Sequence, residues 1–128
     1  MNVHLDTCVF LWAMEEPERL PEMPTRCFND PAGTLFLSAV SVWEMAIKSA
    51  LGKLALPAPL DVFLPRAIQE FKLTSLPLLG EEAMLAARLP PHHRDPFDRM
   101  LVCQAMAHNL TILTPDRTIR QYGVPCLW

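Results

Sequence analysis

Val3-His4-Leu5-Asp6-Thr7-Cys8-Val9-Phe10-Leu11-Trp12 reads as a short apolar-rich run, then an acid, then an apolar helix. Val3–Leu5 has the make-up of a buried strand, and Thr7 is placed to cap a helix carrying Val9, Phe10, Leu11 and Trp12. The same unit returns along the chain. Leu35–Ala39 is a second strand-like run, followed by a helix from Ser41 to about Leu51 that contains Glu44 and stops at Gly52. Thr74–Leu78 is a weak third strand, and Gly80–Leu89 an alanine-rich helix of good propensity. Asp95-Pro96 opens a further helix that ends near Asn109, with Asp as N-cap and Pro at the first helical position. Leu110–Thr114 is a fourth strand, and Pro115 starts a short helix to about Tyr122. Leu60–Phe71 has a helical pattern in which Pro65 predicts a break or kink. Glu15–Pro24, acidic and proline-interrupted, reads as a helix stop, Arg26–Gly33 as a turn region, and Val124–Leu127 as a final edge strand. Strands alternating with helices predict a three-layer α/β/α sandwich with a mainly parallel central sheet, formed as one domain over residues 1–128.

Composition narrows the class. With 128 residues and 51% hydrophobic side chains, the chain can bury a proper core. No apolar stretch approaches the roughly 20 residues of a membrane span. The start MNVHLDT lacks a basic region and a cleavage site, so a cytoplasmic protein is expected. Cys8, Cys27, Cys103 and Cys126 form no C-x-x-C and no zinc-finger spacing, and read as free thiols in a reducing compartment. A net charge of −3 does not by itself predict nucleic-acid binding, but a local basic patch or bound metal overrides the sum.

Four acids, Asp6, Glu44, Asp98 and Asp116, stand where strands are expected to end and helices to begin. In a parallel α/β sheet the carboxyl ends of the strands share one edge, and ligands bind in the crevice there. Carboxylates gathered on that edge repel one another unless a cation joins them. Hard ions such as Mg²⁺ take carboxylates, waters and substrate phosphates as ligands. The pattern points to a metal-dependent enzyme acting on a phosphate ester.

Each acid also has a structural reading. Asp6 is placed to cap the first helix, and Asp116 sits favourably at a helix start. Ser41-x-x-Glu44 has the form of a capping box, and Glu44 lies four residues before Lys48. Asp98 shares the helical arc of Leu101, Val102 and Ala105, where a carboxylate is costly unless paired or metal-bound, with Asp95, Arg94 and Arg99 as possible structural partners. Asp95 reads first as an N-cap. His92, His93, Arg94 and Arg99 form a basic stretch beside Asp98 that is expected to touch substrate phosphates. Adjacent histidines diverge, and no third residue is spaced to complete a zinc site with them. Thr7 and Ser38 are placed either to cap helices or to hydrogen-bond near a metal. A haloacid-dehalogenase-like phosphatase is a rival, but its chemistry needs a second Asp two residues after the first, and here the segment is Asp6-Thr7-Cys8. A catalytically silent binding module is the non-enzyme rival; loss of an acid would favour it, and all four are present.

LDTCVFLW (5–12), LSAVSVWEMAIK (37–48), HHRDPFDRMLVCQA (92–105) and LTPDRTIRQYGV (113–124) together resemble a PIN domain, and within that family the VapC-type ribonuclease toxins of bacterial toxin–antitoxin pairs. The helix after DPFD makes Asp98, rather than Asp95, the third acid of the pattern. The resemblance implies cleavage of RNA dependent on Mg²⁺ or Mn²⁺, a homodimer, and inhibition by a small cognate antitoxin. Asp6, Asp98 and Asp116 would hold one or two ions, and Glu44 would hold the second or position the attacking water. The apolar segment Leu60–Phe71, with Trp12 and Met14, is the expected antitoxin surface by the helix-in-groove mode.

Overall fold

The computed structural model describes residues 1–128. Five strands, β1 (Asn2–Leu5), β2 (Thr34–Ser38), β3 (Thr74–Leu76), β4 (Thr111–Leu113) and β5 (Cys126–Leu127), form one parallel sheet in the order β3-β2-β1-β4-β5. The helices are α1 (Thr7–Glu15), α2 (Glu22–Asn29), α3 (Ala39–Ala50), α4 (Leu60–Phe71), α5 (Gly80–Ala86), α6 (Pro96–His108) and α7 (Arg117–Arg120). β1 is central. The chain first builds outward through β2 and β3, then crosses to the other flank of β1 for β4 and β5. The strand order therefore reverses between β1 and β4, and a crevice opens there at the carboxyl edge.

Period-two alternation sorts the strand side chains onto two faces. Val3, Leu5, Leu35, Leu37 and Leu113 pack with Val9 and Phe10 of α1, Met45 of α3, and Phe63 and Ala67 of α4. Phe36 and Ile112 face the other way, onto Val102 and Ala105 of α6 and Ile119 of α7. Helices thus cover both faces, as the three-layer expectation requires. Fully buried side chains such as Phe10, packed edge-to-face on Phe63 at 6.0 Å, each contribute about 1.5–3 kcal/mol. One polar group interrupts the α6 face. Gln104 Oε1 accepts from the Ser38 hydroxyl (2.6 Å) and lies 3.2 Å from His4 Nε2, while its amide nitrogen donates to the Pro77 carbonyl (3.2 Å).

Several local expectations are corrected. The stretch read as a stop and a turn region contains a 3₁₀ turn (Pro17–Arg19) and α2. Pro21 is the cap of α2 and Pro24 its third residue, where no helical amide partner is needed. α4 runs unbroken through Pro65, which is exposed along with Asp61, so solvent reaches the carbonyl that loses its partner. α3 starts two residues before Ser41, and Ser38 is its cap, accepting from the Val40 amide (2.9 Å), so there is no Ser41–Glu44 capping box. Asp6, not Thr7, holds the cap position of α1. β3, α5 and β5 are shorter than expected. No helix is long and apolar enough to cross a membrane.

Candidate active site

The four acids meet in an open cleft of about 400 Å³ at the carboxyl edge, lined also by Thr7, Cys8, Lys48, Lys53 and Asp95. They do not all follow strands. Asp6 leaves β1 directly and Asp116 comes three residues after β4, but Glu44 is more than a turn inside α3, and Asp98 is the third residue of α6, reached through the loop after α5. The sheet edge supplies two carboxylates, the first turn of α6 a third and the second turn of α3 the fourth.

Asp6 is 6% exposed. Although it occupies a cap position, its carboxylate makes no capping bond, and Oδ2 instead accepts from the Thr114 hydroxyl at 2.6 Å. That hydroxyl also accepts from the Asp116 amide (3.0 Å), so one buried threonine ties together the two segments that diverge at the switch point. Asp116 stands at a helix start as read: Oδ1 caps α7 through the Thr118 amide (2.8 Å), while Oδ2 lies 2.8 Å from His93 Nε2. Glu44, 7% exposed, accepts from the Thr7 hydroxyl (2.9 Å) and pairs with Lys48. Thr7 is buried and lies 2.8 Å from the Ser41 hydroxyl, so it holds Glu44 in place. Asp95 caps α6 through the Phe97 amide (2.9 Å).

Asp98 pairs with neither Arg94 nor Arg99; its Oδ2 lies 3.1 Å from His93 Nε2. Burial, followed by the charges of Asp6, Asp95, Glu44 and Asp116, raises its pKa to about 8. Asp6 is raised as well, chiefly by burial, with Thr114 opposing and Glu44 and Asp116 reinforcing. Burial also pushes Asp116 upward, but the His93 hydrogen bond and the Thr118 and Ile119 amides outweigh it and hold this carboxyl below its usual range. The Cys8 thiol is driven well above its ordinary value by burial and then by Asp6 and Asp98, which removes it as a nucleophile at neutral pH. Crowded, partly buried carboxylates that resist ionisation suit a divalent cation with oxygen ligands.

The basic stretch behaves differently from its expectation. Arg99 is not directed at the cleft. Its guanidinium donates to the carbonyls of Ala86 (2.7 Å), Leu89 (3.0 Å), Pro90 (3.0 Å) and His93 (3.3 Å) and to the Tyr122 hydroxyl (3.2 Å), and so clamps the loop before α6. His92 packs edge-to-face on Tyr122 at 5.0 Å, and Arg94 is exposed; neither lines the cleft. The two histidines diverge, but Asp98 and Asp116 do converge on His93, with one polar atom of each of the three residues within 4.8 Å of the others. Lys48 and Lys53, the cations that line the cleft, were read in the sequence only as a helical pair partner and not at all, respectively. Their signal was the glycine stop after α3, where the Lys53 amide turns back to donate to the Lys48 carbonyl at 2.8 Å.

Residues 3–125 match the PIN domain, and the chain belongs to that family. It is similar to Ribonuclease VapC22 of Mycobacterium tuberculosis, 27% identical over 125 residues, which covers 97% of this chain and 94% of the relative. Its fold is similar to that in the crystal structure of VapBC2 from Rickettsia felis bound to a promoter DNA fragment, at a TM-score of 0.74 and 14% identity, covering 100% of this chain and 98% of the other. It is similar also to FitAcB from Neisseria gonorrhoeae, at a TM-score of 0.67 and 20% identity over 98% and 96% of the two chains.

Proposed function

We propose that this chain is a metal-dependent endoribonuclease of the VapC type, formed as one PIN domain over residues 1–128. The observation that carries the reading is the convergence of Asp6, Glu44, Asp98 and Asp116, from four separate segments, on one cleft whose charge Lys48 and Lys53 compensate only in part. The similarity to a ribonuclease over nearly the whole chain supports RNA as the substrate.

Asp6, Asp98 and Asp116 would hold Mg²⁺ or Mn²⁺, with Glu44 as a further ligand or as the acceptor that orients water. A divalent ion there supplies a Lewis acid that neutralises the scissile phosphate and makes water acidic enough to attack near neutral pH. The chain's own residues prepare the site. Thr7 and Lys48 fix the two oxygens of Glu44, and Thr114 fixes Asp6. Lys48 and Lys53 give the anionic backbone a cationic rim on the open side of the cleft, a better-placed phosphate contact than Arg99. In-line attack of water on phosphorus breaks the P–O3′ bond, the departing oxygen gains a proton, and the products carry a 5′-phosphate and a 3′-hydroxyl.

The relatives named as VapBC and FitAcB assemblies support a cognate antitoxin as partner. An apolar groove of about 430 Å³ between α3, α4 and β3, lined by Val42, Leu64, Ile68 and Leu76 among others, is the place the fold offers to an amphipathic segment. A basic side chain from that partner, inserted among the carboxylates, would block metal and RNA together. A homodimer and a cytoplasmic setting complete the reading.

The test is cleavage of synthetic single-stranded RNA by purified, antitoxin-free protein. Products with 5′-phosphate ends should appear with Mg²⁺ or Mn²⁺ and vanish in EDTA. Undiminished cleavage in chelator would sink the metal mechanism, and no cleavage under any ion would favour a silent binding module.

A further inference from the structure

His93, Asp98 and Asp116 look at first like a ligand triad, since one polar atom of each lies within 4.8 Å of the others. The hydrogen bonds of the imidazole say otherwise. Nδ1 of His93 accepts from the backbone amide of Asp95 at 3.1 Å. An amide N–H can only donate, so Nδ1 carries no proton while this contact stands, and the neutral ring has its proton on Nε2. Nε2 is the atom that faces Asp116 Oδ2 at 2.8 Å and Asp98 Oδ2 at 3.1 Å. A protonated Nε2 has no lone pair for a metal. A metal-binding histidine shows the reverse arrangement, with its outer nitrogen donating to an acceptor and its inner nitrogen bare.

The surroundings are built to hold that aim. The His93 amide donates to the Tyr122 hydroxyl at 2.8 Å, and its carbonyl accepts from Arg99 at 3.3 Å. Asp95, which sets the ring's tautomer through its amide, is itself fixed as the cap of α6. The residue is thus held at its amide, its carbonyl and one ring nitrogen, leaving Nε2–H to face the backs of the two cleft carboxylates, Asp98 and Asp116. The two carboxylates it reaches come from different elements, the first turn of α6 and the turn after β4, and they repel each other. Resting on the metal reading above, we propose that His93 is a positioning residue: its Nε2–H holds Asp98 and Asp116 converged, and it stays outside the ligand set of the ion they bind. Each carboxylate oxygen has two acceptor positions, so a bond to His93 leaves room for a cation on the same atom. This also explains the clamp on the preceding loop, since Arg99 acts on the cleft through His93.

Two measurements on the full chain decide the matter. The first is long-range ¹H–¹⁵N NMR of imidazole-labelled protein, metal-free and then with Mg²⁺. The His93 ring should be protonated at Nε2 and bare at Nδ1 in both states; a proton on Nδ1 in either state overturns the proposal. The second is calorimetric titration with Mn²⁺. His93→Ala should weaken binding by roughly 10–100-fold, the range found when an outer partner of a metal ligand is removed. His93→Gln, whose amide N–H₂ reaches the place of Nε2–H, should recover most of that loss. Wild-type affinity in His93→Ala, or equal losses in both variants, overturns the donor role. If the wild-type protein binds no Mn²⁺, the nuclease reading itself has failed. Mn²⁺ binding that ignores His93 fails this inference alone.

Discussion

Helix α6 passes through two buried polar clusters, one at Asp98 and one at Gln104, and they are opposites. Around Gln104 the groups are neutral and nearly all bonded: Ser38 donates, His4 lies in reach, and the Pro77 carbonyl accepts, leaving only His4 Nδ1 without a partner. Around Asp98 acids outnumber cations, and burial, reinforced by the neighbouring carboxylates, raises its pKa to about 8. A satisfied neutral network stabilises a particular packing of helix on sheet. A cluster of unneutralised carboxylates does the reverse, so its presence points to a ligand that supplies the missing charge. Six residues of one helix separate a structural device from a functional one.

The largest effect should follow from removing charge at the functional end. Asp98→Asn keeps the shape and deletes one ligand charge, and Asp6→Asn does the same on β1. Since the ion's electrostatic stabilisation amounts to several kcal/mol, RNA cleavage should fall about a thousandfold or more in either variant. In EDTA both variants should unfold at higher temperature than the wild type, because repulsion is relieved. Wild-type cleavage by either would remove that residue from the site and break the comparison.

Gln104→Ala attacks the other end. It strands the Ser38 hydroxyl proton and His4 Nε2 in the interior, while the exposed Pro77 only exchanges its partner for water. A loss of about 2–4 kcal/mol is expected in denaturant unfolding, the sum of a lost side chain and buried groups left unpaired. Cleavage per folded molecule should be unchanged. A neutral Gln104→Ala would show that the network does not hold α6 to the sheet.

The two clusters also titrate in opposite senses, which metal-free protein can reveal. Asp98 has its pKa raised from 3.8 to about 8, so the folded state keeps a proton that the unfolded chain releases, and its contribution is full below about pH 4 and is lost as pH rises towards 8. Asp6, also raised, acts in the same sense. His4 is lowered from 6.5 to about 4 by burial, so its contribution is full above pH 6.5 and is lost as pH falls towards 4. Between those values the two oppose each other. From pH 6.5 to 8 only the acids act, so melting temperature in EDTA should fall there, and Asp98→Asn should flatten the fall. A wild-type melting temperature that rises across that window would contradict the burial-driven shift at Asp98.

Much of this arrangement was legible in the residues because it follows from period and position. Val3–Leu5, Leu35–Ala39 and Leu110–Thr114 carry strand composition, and Asp6, Asp98 and Asp116 lie at helix starts, with Glu44 further inside α3. What was not legible depends on where a side chain turns. The run HHRDPFDR has the same composition whether Arg99 faces phosphate or the carbonyls of its own loop, and the second arrangement holds. Thr114 reads as a strand end; only the parallel pairing of β4 with β1 brings its hydroxyl to Asp6. α2 was missed because Pro21 and Pro24 count as breakers in a pattern, although in a first turn they remove no hydrogen bond.

The smallest expected effect concerns Ser38, which lies where the two clusters approach each other at the end of β2. In the sequence it is suited to capping a helix first and to touching a metal-bound water second. Its oxygen accepts from the Val40 amide at 2.9 Å and its proton goes to Gln104 Oε1 at 2.6 Å, with the residue fully buried. Both bonds belong to the neutral cluster, and Ser38 does not line the acidic cleft. Ser38→Ala should therefore cost about 1 kcal/mol, the usual loss for an N-cap, because Gln104 retains its contact with His4. Mn²⁺ affinity should not move. A stability loss with unchanged metal binding assigns Ser38 to the structural cluster. A weakened Mn²⁺ affinity would place the boundary between the two clusters further into the sheet, and would mean that α6 couples them.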